Sequence, residues 1–285
     1  MHHQDDNQPA ASPAPPVADR GREPGEKQAT FIPNGRSVPV RHVLTWFADA
    51  WGLFKQRTGL WIGFALVYTV LLLLLGSSVI WLYSYGFSEH GKVGIHSLVK
   101  GFMSFVHILV TAGVVYSCDV LRQVGSFTFS DLFAAFNRKT GPLLIIGLFD
   151  LGFTTVLALI HRILPLTVTG STPPDTILIG RIIITLVGVA CGMALWFAPA
   201  LMMLHDISPV KAIRMSFSAC FKNILPGIIF SLMTTMLIGI SAIPFFFDLQ
   251  KAAPMFFILG LLVTVPILFL CNYTSYRDIF FGQEN

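Results

Sequence analysis

Six blocks of about twenty apolar residues dominate the chain, at about 60 to 83, 98 to 119, 142 to 164, 177 to 204, 224 to 247 and 254 to 275. A helix of that length crosses a hydrocarbon layer of roughly 30 Å, and in the absence of water a chain must close its own backbone hydrogen bonds. The composition fits: 54% of the residues are hydrophobic, only 12% are charged, and the mean hydropathy is +0.69. The expected fold class is therefore all-α, a polytopic integral membrane protein with six transmembrane helices. Lys100 and His107 interrupt the second block and Asp150 the third. Pro199, Pro244 and Pro266 lie inside spans, where membrane helices accept proline as a kink.

The first apolar block begins near Leu60, too far along and too long for a cleavable signal peptide, so it is expected to remain in the membrane. Residues 1 to 36 are rich in Pro, Ala, Gly and charge, with almost nothing apolar before Phe31. Such a segment buries too little surface to offset its ordering entropy, so a disordered cytoplasmic tail is expected there, with a membrane domain over 38 to 282.

Of the 19 Lys and Arg residues, 14 fall on one side of the six-span topology, leaving Lys92, Lys100, Arg162, Arg181 and Lys251. Basic loops stay on the cytoplasmic side, so both termini are expected there. The outer loops, around 84 to 97, 165 to 176 and 248 to 253, are short, and no sizeable domain is expected outside the membrane. The net charge of +4 is too small to argue for nucleic acid, which is not an expected partner. Cys118, Cys191, Cys220 and Cys271 form no CxxC pair and lie in or beside apolar blocks, so neither a disulfide framework nor a zinc site is implied.

Before the first, third and fifth spans, apolar residues recur at intervals of three and four: Val43, Phe47, Ala50, Trp51 and Phe54; Phe129, Leu132, Phe133 and Phe136; Val210, Ile213, Phe217, Cys220 and Phe221. That spacing draws an apolar stripe along a helix. Ser208 and Pro209 supply a cap and a first-turn proline for the third. Aligned on Phe54, Phe136 and Phe221, the copies repeat after 82 and then 85 residues and place Gly59, Gly141 and Pro226 five residues on. Asp49 and Asp131 stand five residues before the anchor, but Ser216 does so in the third copy.

The expected organisation is three parallel repeats, about 42–120, 127–204 and 208–277, each an interfacial amphipathic helix followed by a helical hairpin. Phe47, Trp51, Phe54, Phe129, Phe133 and Phe136 are expected to face lipid or the bundle, with Asp49, Lys55 and Lys139 toward water. Lys55, Arg57, Arg138, Lys139, Lys211, Arg214 and Lys222 are the candidate lipid-headgroup contacts.

The stretch Phe197-Ala-Pro-Ala-Leu201, His205-Asp-Ile-Ser-Pro209, Ser216-Phe-Ser-Ala-Cys220 and Asn223, with Tyr276-Arg-Asp-Ile-Phe280 near the end, resembles an uncharacterised family of six-span proteobacterial inner-membrane proteins. Trp46 to Phe54 followed by Gly59-Leu-Trp61 is similar too. The resemblance covers about 38 to 282. That family looks like a distant relative of the membrane domain attached to some bacterial glycerophosphodiester phosphodiesterases. The resemblance implies a bacterial inner membrane and brings no catalytic residues.

An ionisable side chain inside a span faces protein or water, which makes Asp150 the most informative single residue. His107 is expected at similar depth, and a His-Asp pair could relay protons or simply fasten helices. Fourteen residues after each anchor stand Tyr68, Asp150 and Thr235, three polar side chains that would meet if the repeats surround an axis. Asp206 and His205 read as interfacial capping, and Lys100 and Arg181 as snorkelling cations. Glu89, His90 and His96 match no metal-ligand template.

The sequence contains no GxSxG, HExxH, Walker A or paired-carboxylate pattern. No cofactor is expected. The leading reading is a non-catalytic membrane component that organises lipid, a membrane-protein partner or a second copy of itself; the alternative is a small transporter or permease using Asp150.

Overall fold

The computed structural model describes residues 30–84, 89–163, 174–243 and 252–282. The fold is all-α, with six helices long and apolar enough to span a membrane. The elements are a short strand β1 (Thr30–Phe31), α1 (His42–Gln56), α2 (Thr58–Ser84), α3 (Glu89–Val124), a 3-10 turn (Phe129–Phe133), α4 (Ala134–Arg138), α5 (Thr140–Ile163), α6 (Pro174–Trp196), α7 (Ala198–His205), α8 (Pro209–Lys222), α9 (Ile224–Ala242), α10 (Ala253–Phe280) and β2 (Phe281–Gly282).

The chain forms three hairpins, α2 with α3, α5 with α6 and α7, and α9 with α10. Helix α3 carries most of the interior: 67% of its membrane window is buried, against 33% in α10, 22% in α2, 17% in α5 and 11% in both α9 and the span formed by α6 and α7. Each interfacial segment rests on the returning helix of a different hairpin: α1 on α10, the 3-10 turn and α4 on α3, and α8 on α6 and α7. The outgoing helices α2 and α5 pack likewise on α10 and α3, whereas α9 leans on α10 of its own hairpin.

Lipid is as apolar as leucine, so helices in a bilayer associate through close packing rather than water exclusion. Small residues mark the contacts accordingly. A Cβ at Gly113 would lie 1.9 Å from the Leu132 carbonyl oxygen, so only glycine lets the 3-10 backbone touch α3. Gly101 receives Leu151 from α5, and Gly147 receives Phe105 from α3.

Three joints link an interfacial segment to its outgoing span through one non-helical residue: Arg57 (φ −143°, ψ 46°), Lys139 (φ −139°, ψ 24°) and Asn223 (φ −119°, ψ 32°). The preceding helix end is capped from the joint each time. Thr58 Oγ1 donates to Phe54 O at 3.1 Å, Thr140 Oγ1 to Phe136 O, and Asn223 Nδ2 to Ala219 O at 2.8 Å. The joints are 82 and 84 residues apart, one fewer at the second step than the aromatic anchors imply.

Several expectations are corrected. Residues 30 to 36 are not part of a tail: β1 pairs antiparallel with β2, Thr30 opposite Gly282 and Phe31 opposite Phe281. The Phe31 ring stacks on His205 at 4.1 Å, an apolar anchor that the surrounding composition conceals. Residues 1 to 29 lie outside the described residues.

The second interfacial segment is a 3-10 turn and a five-residue helix instead of one amphipathic helix. Asp131 accepts from the Thr128 backbone N–H at 2.7 Å and from its hydroxyl at 2.8 Å, holding a tight first turn. Helix α3 starts at Glu89 and takes up most of the outer loop expected over 84 to 97.

The fourth span breaks at Phe197, where Pro199 has no N–H to continue the ladder and instead opens α7. Pro266 stays inside a continuous α10, and Pro244 lies outside the described residues.

Candidate functional site

Within the membrane, the polar residues meet in pairs across helix α3. Tyr68 on α2 reaches His107 on α3, with Oη and Nδ1 3.0 Å apart, and the Phe269 ring of α10 packs on both at 5.3 Å. Ser104, three residues before His107, donates to the carboxylate of Asp150 on α5. Residues three apart share a helix face, so one turn of α3 serves both contacts. If Tyr68 donates to Nδ1, the His107 proton sits on Nε2.

Thr235 does not join them. It is exposed on α9, and its hydroxyl donates to Ser231 O in its own helix at 2.9 Å. Helix α9 lies at the edge, with 11% of its membrane window buried, so its copy of the shared position does not converge with the other two. Counted from the joints instead of the aromatic anchors, the same offset falls on Tyr68, Asp150 and Thr234, whose buried hydroxyl has no hydrogen-bond partner among the described residues.

At the end of the bundle where β1 and β2 meet, a polar basin of about 650 Å³ is lined by Arg36, His42, Asp49, Arg122, Arg277 and Asp278, among others. Asp278 is its hub. Its carboxylate accepts from Arg36 Nη2 at 2.6 Å and Trp46 Nε1 at 2.8 Å, with His42 Nδ1 at 2.8 Å, and its backbone oxygen accepts from Arg36 Nε at 2.7 Å. Nearby, Asp119 takes the Tyr273 hydroxyl at 3.3 Å and Gln123 Nε2 at 2.6 Å. Burial, then the charge of Asp278, raises the Asp49 carboxyl above its usual range, with Arg122 opposing. The lining thus carries three arginines, Arg36, Arg122 and Arg277, against two carboxylates, Asp49 and Asp278, and the Asp278 contacts tie the N-terminal residues and α1 to α10. The sequence signal for this hub is an acid, Asp278, placed where the last span ends.

The candidate headgroup residues divide. Lys139 pairs with Asp206, Arg138 lies over the Tyr116 ring at 4.8 Å, and Arg57 reaches Gly125 O at 3.4 Å. Lys222 Nζ donates to Asn34 O and Gly35 O, both at 3.1 Å, and Asn223 takes the Val38 N–H at 2.8 Å while donating to Arg36 O at 2.8 Å. These residues hold the strap formed by residues 30 to 39. Lys55, Lys211 and Arg214 are exposed and have no protein partner among the described residues. Their aromatic neighbours Trp51, Phe129, Phe133, Phe136, Phe217 and Phe221 are exposed as well, while Phe54 is buried and Phe47 half-buried.

No group of three or more metal-ligating side chains occurs among the described residues, and the side chains of Glu89, His90, His96 and Lys100 lie outside them. Compared with family models, curated proteins and solved structures, the chain finds no match.

Proposed function

We propose that this chain is a non-catalytic component of a bacterial inner membrane, with both termini cytoplasmic, that organises anionic lipid through one basic and aromatic face. The observation that carries this is the set of exposed, unpartnered cations Lys55, Lys211 and Arg214 beside exposed aromatics on two of the interfacial helices. A cation near an anionic leaflet is worth about 1 kcal/mol, and aromatic side chains favour the same depth. Three-unit organisation belongs to this reading; the like joints and the cyclic packing of interfacial segments on returning helices support it.

The test is lipid analysis of the protein extracted in native lipid discs. Anionic lipid enriched over the bulk membrane is expected, with enrichment lost in Lys55→Gln/Lys211→Gln/Arg214→Gln. Equal enrichment in both proteins overturns the reading. Orientation is tested separately: a reporter fused after Asn285 should be active as a cytoplasmic fusion and silent as a periplasmic one.

A proton-coupled carrier is the second reading, favoured by one turn of α3 that carries the His107 imidazole and, through Ser104, meets the carboxyl of Asp150 on α5. Proton flux in vesicles that Asp150→Asn abolishes would select it; Asp150 does not line the polar basin.

A further inference from the structure

The basin around Asp278 holds more cationic donors than its own acids use. Arg36 spends Nε and Nη2 on Asp278, and the Trp46 indole and His42 Nδ1 meet the same carboxylate. The lining hydroxyls are committed as well: Thr45 donates to His42 O at 2.7 Å, Thr274 to Trp46 O at 3.0 Å and Tyr273 to Asp119 at 3.3 Å. Arg122 and Arg277 differ. Both line the basin, yet neither guanidinium has a hydrogen bond or an ion pair among the described residues. Arg122 is exposed, and Arg277 lies over the Phe281 ring at 4.6 Å, which occupies the face of its guanidinium and leaves the N–H edges free. The charges of both act on the same Asp119, which places them in one neighbourhood.

Each stands in the last turn of a helix, α3 or α10, where the helix dipole favours a cation. That accounts for a basic residue at each helix end. It does not account for an open volume of about 650 Å³ in front of both, within the size range of small-ligand sites. Of the remaining lining groups, the Gln56 amide has no hydrogen-bond partner among the described residues, and Asp49 opposes an anion. Burial and Asp278 already raise the Asp49 carboxyl, and an anion beside it adds to the same effect. A carboxylate ligand is filled by one guanidinium fork, whereas a tetrahedral phosphate has oxygens enough for both.

We infer that the basin binds a phosphate group, held between Arg122 and Arg277. The group belongs to a soluble phosphate compound or to a lipid headgroup, because the basin opens beside the interfacial helix α1 and the same oxyanion chemistry serves both. The site uses none of Lys55, Lys211 and Arg214, so it goes beyond the basic face and stands without it.

The test is calorimetric titration of the full chain in detergent with inorganic phosphate. Ionic strength is held constant with chloride, which fixes general screening. One saturable site per chain is expected, with a Kd of about 1 mM or tighter. Arg122→Gln and Arg277→Gln should each weaken it about tenfold or more, the loss of a charge-assisted bond. Asp49→Asn removes the opposing charge and should tighten it several-fold. Arg122 has no partner to lose, so its variant should unfold at the parent temperature and decides the case should Arg277→Gln destabilise the chain. Arg41→Gln, an exposed arginine outside the basin, should bind like the parent, and so should Lys55→Gln/Lys211→Gln/Arg214→Gln.

The source is set by repeating the titration in discs of phosphatidylcholine alone or with phosphatidic acid or oleate added as negative charge. Phosphate binding that survives in all three assigns a soluble compound. Binding blocked by phosphatidylcholine itself, or by phosphatidic acid well beyond oleate, assigns a lipid headgroup. No saturable binding at about tenfold the expected Kd, or equal affinity in Arg122→Gln and the parent, overturns the site. Binding lost in the triple variant instead moves the phosphate to the basic face and overturns the basin.

Discussion

Ser216 accepts the backbone N–H of Phe197 at 2.9 Å. The same hydroxyl donates to Met193 O at 2.8 Å, and Asn272 Nδ2 donates to Trp196 O at 2.9 Å. Between them these two side chains, from α8 and α10, satisfy backbone groups exposed by the break between α6 and α7. Irregular backbone at membrane depth is tolerated only where protein re-satisfies it. The break and the helix that repairs it therefore form one structural unit.

Ser216→Ala should cost about 1–3 kcal/mol, because it leaves a buried donor and a buried acceptor unpaired at once. The check is the unfolding midpoint in detergent, which should fall, with Ser218→Ala on the less buried side of the same helix as the unaffected control.

Gly113→Ala should be far more damaging than its single methyl suggests. The new Cβ would meet the Leu132 carbonyl, a backbone atom that cannot swing aside, so a loss of about 3 kcal/mol or failure to fold is expected. Gly152→Ala, with open space at its Cβ, should express and melt like the parent.

Asp278→Ala removes the acceptor shared by Arg36, His42 and Trp46. Arg36 is 40% exposed at its side chain, so screening reduces the ion pair, and a net loss of about 2 kcal/mol is expected from the whole set. The strap should loosen locally first. Trypsin should then cut at Arg36 and Arg41 several-fold faster, before any cut within the spans.

Asp49 predicts a pH dependence whose sign follows from its raised carboxyl pKa. The folded state favours the protonated form, so this contribution is present in acid and is lost as pH rises from the usual carboxylate range through the higher folded value. Asp49→Asn should flatten the stability profile just above the usual carboxylate range and slightly raise the midpoint at neutral pH. The effect is small because Asp49 is only partly withdrawn from water and keeps much of its surface exposed. A steeper profile in the variant would contradict the assignment.

The six spans were legible in the sequence because a hydrocarbon layer imposes one length and one polarity on any helix that crosses it. The period of the interfacial segments was legible for α1 and α8, where an unbroken stripe has nothing local competing with it. It misled at residues 129 to 133, where Asp131 offers the backbone a tighter turn than the helix does. The strap at 30 to 39 was hidden because its partners, Lys222, Asn223 and Asp278, lie more than 180 residues away.

Which polar residues meet was decided by tertiary structure alone. Tyr68, Asp150 and Thr235 share an offset in sequence, yet two of them find partners on α3 and the third faces outward, because packing puts α2 and α5 against α3 and leaves α9 at the edge. Hydropathy records that a helix is buried in lipid or protein without saying which. The sequence by itself therefore determined how many spans there are and roughly where their charged ends fall. Contacts that no one-dimensional pattern encodes, the close approach of α3 to the 3-10 turn at Gly113 and the long-range bonds to Asp278, determined the buried position of α3 and the basin.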